Sequence, residues 1–125
     1  MRENIGLFKA KDINTNEWVE GYLNGFCYIE SERYIKTGYN EQHEIDPETI
    51  CEFTGLTDKN GNKIFENDIL DYWENGKENI KQRLKVFYEN GQFVVDHYAI
   101  NLLNSRNMSS EIIGNIYDNK NLIGE

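Results

Sequence analysis

Three basic side chains at alternate positions, Lys81, Arg83 and Lys85, are the residues of this chain best placed to act on a partner. At period two they share one face of a strand, with Ile80, Leu84, Val86 and Tyr88 interleaved toward the core. Such a stripe either solvates a strand face and discourages edge pairing or meets an acidic partner. Trp73, with Tyr72 beside it, supplies the aromatic that a binding face would use; buried, it would be a plain core residue. The acids Asp58, Glu66 and Asp68 invite a metal or paired-carboxylate reading. Calcium loops, however, place their ligands at tighter alternate positions and end in a bidentate Glu. These acids are therefore expected to form and flank turns. Cys27, Cys51, His43 and His97 show no CxxC or HxxxH spacing for zinc. Two cysteines are too few for a disulfide scaffold, and both are expected as reduced, half-buried thiols. The sequence contains no Gly-rich phosphate loop, nucleophile elbow or His–carboxylate pair. The expectation is a protein that is not an enzyme and holds no metal or cofactor.

Charge is the one partner signal. The formal net charge is -9 and the sequence pI about 4.7. An acidic chain is repelled by phosphate backbones, which argues against nucleic acid as the partner. The charges are also segregated. Residues 41–52 (EQHEIDPETICE) hold five acids and no Lys or Arg, whereas residues 77–85 hold four basic residues and one acid. The stripe could meet the acidic segment of another copy, and head-to-tail contacts of that kind build rings or stacks. The alternative is a nucleic-acid-associated protein, binding through the basic strand or mimicking DNA with an acidic face.

The elements that must position these residues are mostly strands. A chain of 125 residues buries roughly 65–70% of its unfolded surface, enough for one core, so a single domain over 1–125 is expected. The apolar fraction is 38%, with 13% aromatic residues, which is unlike a disordered chain despite a mean hydropathy of -0.73. No stretch approaches the ~18 apolar residues of a membrane span, and no charged-then-apolar leader opens the chain, so the cytoplasm is the expected location. Strands are expected at 5–11, 17–23 and 26–30, the last two joined by Asn24-Gly25. Trp18, Glu20 and Tyr22 then share one face. Further strands are expected at 33–37, 48–53, 69–74, 80–89 and 92–98, the last pair joined by Asn90-Gly91, and at 111–117. Residues 38–47 read as loop, 99–104 as a helical turn and 118–123 as a short helix. Four Asn-Gly pairs, at 24, 60, 75 and 90, set a hairpin rhythm with no matching side-chain repeat.

The segment Phe53 to Leu70, FTGLTDKNGNKIFENDIL, is a turn cassette. Asp58-Lys59-Asn60-Gly61 has the residues of a tight turn, Ile64-Phe65 a short apolar step, and Glu66-Asn67-Asp68 a second turn leading into a strand. The run Thr54 to Ile69 resembles the "TGLxDKNGxxIxExDI" signature of the YopX family, small proteins of phages and prophages of Gram-positive bacteria. Gly114-Asn115-Ile116-Tyr117-Asp118-Asn119-Lys120-Asn121-Leu122-Ile123 is similar to that family's "GNIYxNxxLL" ending, and the lead-in Asp46 to Phe53 is similar too. Asn67 stands where members often carry Gly; Asn tolerates a left-handed backbone, so the turn should survive. Lys11 precedes Asp12 where an aromatic is usual. The resemblance implies origin and fold, and no catalytic residue.

The sequence thus predicts a mainly β single domain, an SH3-like partly open barrel or a folded antiparallel sheet, with a short C-terminal helical turn. Its predicted role is that of a phage accessory protein: a non-enzymatic, homo-oligomeric protein-binding module engaging a host or phage protein. Lys81, Arg83, Lys85 and Trp73 are the candidate binding residues.

Overall fold

The computed structural model describes residues 6–23, 34–38, 41–89, 92–95, 98–99 and 108–123. The chain divides into two compact units, Met1–Phe53 and Thr54–Glu125. Its described regular structure is strand throughout, apart from two short 3-10 turns.

In the first unit β1 (Leu7–Lys11), β2 (Trp18–Leu23), β3 (Tyr34–Gly38) and β4 (Glu41–Glu44) form an antiparallel meander in the order β4-β3-β2-β1. The start of β5 (Cys51–Thr57) pairs with the free side of β1. Register between β1 and β2 sets Lys11 opposite Trp18, Lys9 opposite Glu20 and Leu7 opposite Tyr22. Trp18, Glu20 and Tyr22 therefore share a face, as their period-two spacing predicts. The other face carries the small core of Ala10, Ile35 and Ile45, flanked by Phe8, Val19 and Ile50. The end of β4 returns to the end of β1. Asp12 and Ile45 form an isolated bridge, Ile13 N–H donates to the Glu44 carbonyl (2.9 Å) and Asp46 N–H to the Lys11 carbonyl (2.9 Å). The sheet curls back on itself by this one bridge without closing into a barrel.

Three expectations are corrected in this unit. The polar run 38–47 contains strand β4. It is an edge strand whose Glu41, Gln42 and Glu44 are exposed, so it lacks the apolar alternation that marks a half-buried strand. The strand expected from Glu48 begins at Cys51, because Pro47–Thr49 forms a 3-10 turn with Pro at its start and Asp46 as its cap. Cys51, expected to be half-buried, is fully buried, and its thiol donates to the Thr49 carbonyl. The Asn24-Gly25 hairpin with its 26–30 arm, and Cys27, lie outside the described residues.

In the second unit the end of β5 pairs with β6 (Lys63–Phe65), and β7 (Asp68–Glu74), β8 (Gln82–Glu89), β9 (Gln92–Val95), β10 (Tyr98–Ala99) and β11 (Met108–Asn115) form a sheet in the order β10-β9-β8-β7-β11. One face packs Leu70, Tyr72, Val86, Phe93 and Val95 with Ile64, lined by Leu56, Leu84, Met108 and Ile112. Each fully buried aliphatic among them contributes roughly 1.5–3 kcal/mol of transfer free energy. Ile80, expected inward, precedes β8 and is 60% exposed. Ala99 is paired to Val94 as strand; residues 100–104, His97 and Asn90-Gly91 lie outside the described residues. The expected C-terminal helical turn is a 3-10 turn at Lys120–Ile123.

The cassette is built as its residues dictate. Asp58 to Gly61 make the β5–β6 loop, closed by Gly61 N–H to the Asp58 carbonyl (3.0 Å), with Gly61 at φ +83°. The Asp58 carboxylate is buried. Its Oδ1 accepts from the N–H of Asn60 (2.9 Å) and Asn62 (3.0 Å), and its Oδ2 accepts from Ile112 N–H (3.0 Å) on the outer edge of β11. Lys59 N–H donates to the Ser110 carbonyl on the same edge (2.9 Å). Asn67 sits at φ +71°, so the left-handed turn does survive the Gly-to-Asn change. Its N–H donates to the Val86 carbonyl, its carbonyl accepts from Ile116 N–H, and its side-chain amide donates to Tyr117 Oη. The two segments that carry the family resemblance thus bond to each other.

Asp58→Ala removes three hydrogen bonds accepted by a buried carboxylate, a loss of about 3 kcal/mol; urea denaturation measures it, and an unchanged midpoint would refute the assignment. At Gly114, beside the β11 bulge, an added Cβ would come within 2.5 Å of Asn119 Oδ1 and 2.6 Å of its Cγ. Gly114→Ala is expected to destabilise by about 1–3 kcal/mol, read as a lower Tm.

Candidate protein-interaction face

The register of β7 on β8 decides what faces outward. Leu70 opposes Leu84 and Tyr72 opposes Gln82, while Ile69 opposes Lys85 and Asp71 opposes Arg83. Strand side chains alternate, so Leu70, Tyr72, Leu84 and Val86 point to the core cluster. Ile69, Asp71, Trp73, Arg83, Lys85 and Phe87 take the opposite face. Register on β11 adds Ser109 and Glu111 to that face.

Trp73 lies 4% exposed on this face. The Lys81 ammonium is 4.9 Å from its ring centroid and the Lys59 ammonium 5.1 Å. Both lysines are exposed residues whose ammonium groups are attracted to the indole ring. Arg83 is held by Asp71, Nε to Oδ1 at 3.0 Å and Nη2 to Oδ2 at 3.5 Å. That hydrogen bond first, and the carboxylate's charge second, push the guanidinium further toward its charged form. The pair is largely exposed on the arginine side, so its contribution to stability is small. The Lys85 ammonium lies 5.8 Å from the Phe87 ring. Among the described residues none of Lys59, Lys81 and Lys85 forms an ion pair with a carboxylate.

The structure therefore places Lys81, Arg83, Lys85 and Trp73 together on one sheet face. Trp73 is beneath the lysines rather than free to reach out. Tyr72 is on the opposite face, its hydroxyl donating to Gln82 Oε1 (2.7 Å). Lys59 is the member that sequence reasoning missed. It lies far from Lys81 along the chain and reaches the face only because the Asp58 turn docks on β11. A similar arrangement recurs in the first unit, where the Lys9 and Lys11 ammonium groups lie 4.7 Å and 5.4 Å from the Trp18 ring. Both tryptophans of the chain are thus faced by two lysines.

The acids behave as turn formers. Asp58 is committed to backbone N–H groups, and Asp68 Oδ2 accepts from Phe65 N–H (2.8 Å). Among the described residues no group of three or more His, Cys, Asp or Glu is arranged to hold a metal ion. Asp12 is bonded through both carboxylate oxygens. Its Oδ2 meets His43 Nδ1 at 2.8 Å, and its Oδ1 accepts from Asn14 and Thr15 N–H. The His43 bond, then the Asn14 bond, hold its carboxyl below the ordinary aspartate value.

The chain matches the family model described as "YopX protein" over residues 7–124, and it belongs to the YopX family. Among solved structures it is similar to protein EF1440 from Enterococcus faecalis, with a TM-score of 0.60 and 24% identity, over 94% of this chain and 96% of that one. That likeness is one of fold. No curated protein matches the chain. Among the described residues no helix is long and apolar enough to cross a membrane.

Because the folded pKa of Asp12 is depressed, its stabilising effect is full above the ordinary aspartate range and is lost as pH falls through the folded value. His43→Ala should move the Asp12 carboxyl titration, followed by NMR, upward toward the ordinary range. No upward movement would contradict the assigned cause.

Proposed function

We propose that this chain is a non-enzymatic accessory protein of phage or prophage origin that works by binding protein, with itself among its partners. The origin rests on the YopX family, and the mode of action on one observation. Lys59, Lys81 and Lys85 share a sheet face, and among the described residues none of them forms an ion pair with a carboxylate, in a chain whose net charge is -9. In such a chain an unneutralised cationic face gains most from a partner that brings carboxylates to it. The exposed Glu44 and Glu48 of the acidic 41–52 segment make a second copy a suitable source of them. A host or phage protein with an acidic surface would use the same face.

Light scattering at low and high salt tests the self-association. The expected result is a discrete multimer of the 14.7 kDa chain that loosens as salt screens the contact. The triple reversal Lys59→Glu, Lys81→Glu, Lys85→Glu should lower the assembly mass at low salt. The matching Gln triple, which keeps most of the aliphatic stem over Trp73, reports whether the fold is intact. Monomer at both salt concentrations, or an unchanged mass in the reversal variant, would overturn the homo-oligomer reading.

A further inference from the structure

Two of the four Asn-Gly pairs fall among the described residues, and their surroundings differ. At Asn60-Gly61 the chemistry is locked. Gly61 N–H donates to the Asp58 carbonyl (3.0 Å), Asn60 N–H donates to Asp58 Oδ1 (2.9 Å), and the whole turn is docked on β11. At Asn75-Gly76 the turn is closed one residue later, by Lys77 N–H to the Glu74 carbonyl (2.9 Å). Gly76 N–H has no acceptor among the described residues, and both residues are exposed. The Ser109 hydroxyl donates to Asn75 Oδ1, which draws electron density from Cγ and makes it a better electrophile.

We propose that Asn75-Gly76 is a site of self-modification that the folded structure leaves open while closing Asn60-Gly61. The Gly76 backbone nitrogen gives up its proton to solvent base and attacks Asn75 Cγ. A C–N bond forms, and the side-chain amide nitrogen leaves as ammonia with a proton from water. Water then opens the resulting succinimide to aspartate or isoaspartate. Glycine has no Cβ to obstruct the approach, and the step needs no reagent but water. At Asn60 the same nitrogen must first be freed by opening the docked turn, so its rate is reduced by the cost of that local opening. The product adds a carboxylate beside Glu74, whose side chain already pairs with Lys77 at 3.3 Å, at the start of the loop that leads to Lys81. Ageing would thus place negative charge at the approach to the lysine face.

Incubation of the full chain in warm, mildly alkaline buffer, then peptide mass spectrometry of the amide-to-acid conversion, tests this. Asn75 should convert about fivefold or more faster than Asn60 in the folded protein, and the two rates should converge in concentrated urea. Equal rates in the folded protein, a faster Asn60, or a difference that persists in urea would overturn the proposal. Ser109→Ala should slow conversion at Asn75 alone; acceleration there would overturn the activating role of the hydroxyl.

Discussion

The Asp58 carboxylate does with side-chain oxygens what a sheet ordinarily does with a neighbouring strand. β11 is the last strand of its sheet, and its outer edge would expose N–H and carbonyl groups. Asp58 Oδ2 takes the Ile112 N–H, and the backbone of Lys59 satisfies Ser110. The same carboxylate organises its own turn through Oδ1. One buried group thus folds the loop, covers an edge and fixes the two family segments against each other. Everything built on that edge inherits its position. That includes the placing of Lys59 over Trp73.

The strand next to β11, β7, is of unusual character. Asp68, Ile69, Leu70, Tyr72 and Trp73 are all buried, so the strand has cover on both faces. On the core side the cover is apolar. On the other side Trp73 is faced by lysine ammonium groups, a use of long amphipathic side chains that keeps charge in water while burying the ring. The acid Asp71 is placed opposite Arg83 by register, and that pairing removes one cation from the face. What remains cationic is a choice of register as much as of composition.

How much of this was legible in the sequence depends on whether the cause was local. The cassette could be read because Asp58, Gly61 and Asp68 bond backbone groups within a few residues of themselves, and because Asn67 is of a residue type that accepts the left-handed backbone its turn needs. The alternation of Lys81, Arg83 and Lys85 could be read because a strand's period is two. β4 could not, since an exposed edge strand of Glu, Gln and His carries no apolar rhythm. Ile80 was misassigned because the strand starts two residues later than the alternation suggests, and a pattern has no sharp end. Lys59 was invisible for a different reason. Its contact with Trp73 depends on a carboxylate meeting a strand more than fifty residues away, and no spacing rule encodes that.

The lysine face also has a physical logic of its own. Three ammonium groups on one face repel one another, and among the described residues Arg83 alone of this face's cations is paired with a carboxylate. Exposed ion pairs stabilise a fold very little, so leaving the lysines unpaired costs the folded state little. It changes association far more, because unpaired charge shapes the field that an approaching surface meets. A chain with 22 acidic residues against 13 basic ones has ample carboxylates to neutralise these lysines from within. In the function proposed above, a partner supplies them instead. On the proposed reading the turn at Asp58 therefore serves both purposes: it completes the sheet, and it carries Lys59 to the face where binding energy is gained.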